Sequence, residues 1–147
     1  MKVHERRAGE LSRMQFLGVL LLLFWGALSF RATPGKPSPV DVKGAHVVIV
    51  DEFDHRKTKL TDEQMSIITS VELNLWLDAN TVAWGKHDQN DEAPPGREWV
   101  KVAIERAKQQ GLPWIGIYDP PRWHEGPLVK NIAEVKALVL KVKGGAK

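Results

Sequence analysis

The sequence predicts an α/β fold, with a central mixed sheet of about four strands in the order β-α-β-α-β-β-α, helices flanking the sheet, and one apolar helix ahead of the domain. Three observations carry this expectation. His46 to Val50 (HVVIV) is a continuous β-branched run, the pattern of a strand covered on both faces. Residues 61–80 and 131–143 place apolar side chains at helical spacing behind capping residues. Gly111 to Tyr118 (GLPWIGIY), followed by a Pro-Pro turn and a second short strand broken by Gly126 and Pro127, reads as a hairpin ahead of the terminal helix.

The chain of 147 residues opens with a basic segment, residues 1–15, that holds Lys2, Arg6, Arg7 and Arg13. Phe16 to Phe30 (FLGVLLLLFWGALSF) is an uncharged run of 15 residues. As a helix it would extend ~22 Å, short of the ~30 Å hydrocarbon core but within reach once flanking residues and bilayer thinning contribute. The run reads as a retained signal anchor, or as a signal peptide cleaved near Ser29, where Ala27-Leu28-Ser29 supplies small residues. Both readings put the rest of the chain outside the cytoplasm, because four cations precede the run against Arg31 and Lys36 just after it. Residues 31–43 include the Pro-rich stretch Ala32 to Val40, an extended spacer, and residues 44–147 form the domain.

Within the domain, Asp51 to Lys59 is a charged loop after the first strand. Thr61 and Gln64 make a capping box, and Leu60 with Met65 a hydrophobic staple, so a helix starts there. Met65, Ile68, Val71 and Leu75, widened by Ile67, Leu73 and Leu77, predict one continuous helix buried against the sheet and ending at Asn80. Thr81 to Trp84 (TVAW) is a short second strand and His87 to Gly96 a loop. Pro94 and Pro95 open a helix with Trp99, Val102, Ala103 and Ala107 on its inner face, closed by Gly111. Trp114 to Tyr118 and Trp123 to Leu128 pair across Asp119-Pro120-Pro121-Arg122. The last helix starts at Asn131, with Glu134 three residues on, and buries Ile132, Val135, Leu138, Val139 and Val142.

This order, the size, and Leu112-Pro113 directly before the third strand resemble the thioredoxin superfamily over residues 44–145, and His87-Asp88-Gln89-Asn90 resembles a polar segment those domains carry after the second strand. The resemblance implies a three-layer fold, a cis Leu112–Pro113 bond, and a groove in which family members hold extended peptides through backbone hydrogen bonds. Phe53, Leu112 and Trp114 would wall that groove beside Pro113, with His55 as a polar neighbour. The family's redox chemistry is not available to this chain. It has no cysteine, so no thiolate exists for disulfide exchange or peroxide reduction.

Other chemistry is poorly supported by the residues. From Phe30 onward 17 Lys plus Arg stand against 16 Asp plus Glu, without the basic stripe that phosphate backbones require, so no nucleic-acid partner is expected. His46, His55, His87 and His124 are scattered, and no metal or cofactor is expected. Asp88, Asn90 and Glu92 mimic the opening of a calcium loop, but Ala93 stands at its glycine position and Trp99 at its bidentate glutamate. Three functions remain. One is a non-catalytic, membrane-tethered or exported thioredoxin-like module that binds a protein or peptide. Another is an enzyme using His55 with Asp51, Glu52 or Asp54, which requires those groups to converge. The third is a structural subunit of an envelope or virion assembly. Oligomeric state is not legible from the chain.

Overall fold

A computed structural model describes residues 36–144, and the elements within them follow the expected order. The basic segment, the apolar run 16–30 and the start of the spacer lie outside the described residues. Among those described, no helix is long and apolar enough to cross a membrane.

Strand β1 (His46–Asp51) is followed by a 3-10 turn (Phe53–His55) and a short helix α1 (Arg56–Lys59). Helices α2 (Asp62–Thr69) and α3 (Val71–Asn80), strand β2 (Ala83–Asp88) and helix α4 (Glu98–Gln110) come next. Strands β3 (Trp114–Asp119) and β4 (Arg122–Pro127) and helix α5 (Ile132–Val142) close the domain. The sheet order is β2-β1-β3-β4, with β1 parallel to β2 and antiparallel to β3, and β3 antiparallel to β4. The expected hairpin is thus present. The peptide bonds Leu112–Pro113 and Pro120–Pro121 are both cis.

Alternation along each strand sorts the core into two layers. Val47 and Ile49 of β1 with Ile115 and Ile117 of β3 pack against α2, α3 and α5. Val48 and Val50 with Trp114 and Tyr118 pack against Val100, Ala103, Ile104 and Ala107 of α4. The β-branched run of β1 is therefore covered on both faces, and all six of its residues are buried.

Three expectations are corrected. The single helix over residues 61–80 is two. Ser70 is extended (φ −67°, ψ 118°) and caps α3, its hydroxyl accepting from the Leu73 amide at 3.0 Å. This break resets the helical phase, so Leu73 and Leu77 turn inward while Val71 and Leu75 are 69% and 64% exposed. The second strand runs through Asp88 rather than ending at Trp84, since an edge strand with half-covered faces tolerates Gly85, Lys86 and His87. On α4 Ala103 and Ala107 lie on the inner face as expected, but Val100 and Ile104 complete it and Val102 is exposed.

Candidate functional site: the end of the sheet beyond β1

Register gathers the site. Val50 of β1 pairs with Trp114, and Asp51 pairs with Asp88. The loop after β1, the end of β2 and the Leu112-Pro113 turn therefore share one end of the sheet, on either side of β1.

The loop is held by its own charges. The Asp51 carboxylate is buried and receives Arg56 in a fork, Nε to Oδ2 at 2.7 Å and Nη2 to Oδ1 at 3.1 Å. The same guanidinium lies over the Phe53 ring, 3.5 Å from its centroid. The Phe53 amide donates to Asp88 Oδ2 at 2.7 Å and the Asn90 amide to Oδ1 at 2.8 Å. Those two amides, Phe53's first, hold the Asp88 carboxyl below the usual carboxylate range. His55 is exposed and pairs through Nδ1 with Glu52 Oε1 at 2.8 Å, and Lys59 pairs with the same carboxylate. The Lys59 ammonium, then His55, hold the Glu52 carboxyl low.

On the other side of β1, Leu112 and Pro113 are half-buried. The Pro113 carbonyl accepts from the Leu128 amide at 2.9 Å, and the Leu128 carbonyl accepts from Gln64 Nε2 at 3.0 Å. The residue that closes the capping box of α2 thus also ties that helix to the loop after β4. Among the described residues, neither the amide nor the carbonyl of Leu112 has a hydrogen-bond partner.

No protein-family profile, curated protein or solved structure matches this chain. Of the five residues expected to form the groove, Phe53, His55, Leu112 and Pro113 do lie at one end of the sheet, but no hydrogen bond or ring contact joins the first two to the last two. Trp114 is not part of the surface. It is fully buried on the α4 face, its Nε1 donating to Gln110 Oε1 at 3.1 Å, because β3 alternation points it opposite Ile115.

Of the groups that an enzyme built on this loop would use, His55 and Glu52 do meet, at 2.8 Å and with His55 exposed, while Asp51 and Asp54 do not join them. Asp51 is committed to Arg56, His55 to Glu52, and Asp54 is exposed. A cleft of about 350 Å³ lies elsewhere, between the loop after β2 and α4, lined by Asp91, Glu92, Ala93, Lys101, Ile104 and Glu105. Among the described residues no three His, Cys, Asp or Glu side chains are grouped to hold a metal ion.

Sequence reasoning overlooked Arg56; it named Gln64 only as a capping residue and Asp88 only within a polar segment, and missed their long-range bonds to Leu128 and Phe53. It also overlooked the polar network on the α4 face, where Arg106 Nε and Nη2 each reach Glu125 at 2.5 Å. Tyr118 OH donates to the same carboxylate at 2.9 Å and Gln110 Nε2 at 3.0 Å. Burial first, and Glu125 second, push the Tyr118 phenol far above the usual tyrosine range. With its charge fully countered, this network is a structural brace.

Proposed function

We propose that the chain is a non-catalytic, thioredoxin-like module, tethered to a membrane or exported through residues 16–30, that holds an extended protein or peptide segment at the end of the sheet beyond β1. A four-stranded mixed sheet with a parallel first pair, an antiparallel hairpin and a closing helix supports the family resemblance. The observation that carries the binding reading is Leu112. Its unpaired amide and carbonyl at an open strand end offer a donor and an acceptor to an extended backbone, and backbone groups left without partners favour such pairing.

The test uses a photo-crosslinking amino acid at position 112 of the full chain, in cells that make it, with position 102 on the outer face of α4 as control. A discrete adduct at 112 that is absent at 102 is expected; a crosslinker at 53 should capture the same partner, and that second adduct should vanish on Leu112→Pro, since proline removes the amide. The same bands at both positions would overturn the binding reading. An alkaline phosphatase fusion after Lys147 tests the topology, which predicts an active enzyme in cells.

A further inference from the structure

The Pro-rich stretch ahead of β1 has the composition of a free spacer, yet its end is packed onto the domain. Val40 is 4% exposed and belongs to the core layer on the α4 face with Val48, Val100 and Tyr118. Val42, Trp99 and Trp123 pack against the same layer. Trp123 Nε1 donates to the Lys36 carbonyl at 3.3 Å, and Ser38 Oγ donates to the Val40 carbonyl at 2.8 Å. Residues 36–40 thus form a strap. It lies at the end of the sheet where β1 begins, because Trp123 pairs with Tyr118 and Tyr118 with His46. Phe53 and Leu112 stand at the opposite end.

The strap is held in a particular way. Pro37 and Pro39 have no amide to donate, and each keeps itself and the residue before it extended. Among the described residues, no backbone–backbone hydrogen bond joins residues 36–43 to the rest of the domain. What seats the strap is one buried apolar side chain and one indole bond to a main-chain carbonyl, both on a segment that proline holds extended. Aromatic-lined grooves recognise proline-rich segments on the same basis, since a ligand extended beforehand loses little chain entropy on binding. None of these contacts depends on which chain supplies the segment. We propose that the seat of Val40 beside Trp123 is a second interaction surface, for a partner's extended segment that carries a valine-sized apolar residue next to proline, and that residues 36–40 occupy it in cis. The occupant's chemistry is read from the strap itself. A partner has to displace the strap, so its apparent affinity falls with the fraction of chains in which the seat is open. The few residues between Val40 and β1 keep the strap's effective concentration high. The identical strap of a second copy gains nothing over the one already seated, and a displacing segment has to fit more tightly.

The experiment measures binding of a synthetic peptide with the sequence of residues 34–42 to the full chain in nanodiscs. The parent should bind it weakly, and Val40→Asp, which unseats the strap, should bind it at least tenfold more tightly. The same peptide with its valine replaced by aspartate should bind neither chain. Adding Trp123→Ala to Val40→Asp should weaken binding several-fold, since the indole donor is gone. Circular dichroism checks that each variant keeps the parent's fold. Where Val40→Asp does not, Val40→Ala carries the test, with a gain of about threefold expected. Peptide binding to the parent and to the folded Val40 variant within twofold of each other would show that the strap does not guard the seat. Absence of binding to every folded variant would remove the interaction surface. Either result leaves the reading of the end beyond β1 untouched, because that reading is tested separately at position 112.

Discussion

Gly116 shows how closely single atoms are accommodated on the α4 face. A Cβ placed there would lie 2.6 Å from Trp114 Cη2 and 2.7 Å from the Tyr118 hydroxyl, both fully buried, whereas one at Gly126 on β4 meets nothing nearer than His124 Nε2 at 3.8 Å. Gly116→Ala is therefore expected to destabilise by about 1–3 kcal/mol through overpacking. Gly126→Ala should fall within about 0.5 kcal/mol of the parent or be slightly stabilising, because a strand glycine loses more chain entropy on folding. Urea denaturation of both variants checks the contrast, and equal losses would contradict it. His124 carries the pH dependence at this scale. Burial, and secondarily the Lys141 charge, hold its folded pKa below the ordinary value of 6.5. The unfolded chain then binds more protons below about pH 6.5, so this part of the stability is complete above that pH and lost as pH falls through the depressed folded value. Urea midpoints at pH 7.5 and 5.0 should differ less for His124→Gln than for the parent.

At the scale of elements, the start of α2 joins local and distant order. Thr61 Oγ1 accepts from the Gln64 amide at 3.1 Å, Gln64 Oε1 accepts from the Thr61 amide at 3.2 Å, and Gln64 Nε2 reaches the Leu128 carbonyl. Thr61→Ala should cost about 1 kcal/mol, the usual loss of a cap. Gln64→Ala should cost more and should speed amide exchange at residues 128–131 as well as at the helix start. Protection unchanged at Leu128 would show that the link to that loop has no weight. The capping box, the Asn131 cap of α5, whose Oδ1 accepts from the Glu134 amide at 3.0 Å, and the β3–β4 hairpin were legible because each is written within a few neighbouring residues. The break at Ser70 was not. Apolar residues surround α3 on all sides, so periodicity could not say which of them faces the sheet.

For the domain as a whole, both edge strands point a charge inward: Lys86 of β2 and Glu125 of β4. Lys86 Nζ donates to the Ile68 carbonyl at 2.6 Å and to Asn74 Oδ1 at 2.7 Å, spanning the α2–α3 break, and burial lowers its pKa. An inward charge on an edge strand discourages pairing with another chain, which would have to bury it. Lys86→Val should therefore promote self-association, read as a larger mass by light scattering after gel filtration, and should destabilise by about 1–3 kcal/mol through the acceptors left unpaired. A variant with the parent's mass would argue against the edge role. Strand and helix order, two helix caps, the hairpin and the exclusion of thiol chemistry were determined by the amino-acid sequence alone, since composition and short-range periodicity suffice for them. Which side chains meet beyond β1 was decided only by the tertiary structure. Phe53 and Asp88 are 35 residues apart and come together through the β1–β2 register, and Trp114 leaves the surface through the alternation of β3. Contacts of that kind depend on strand pairing and facing, which no local stretch of sequence specifies.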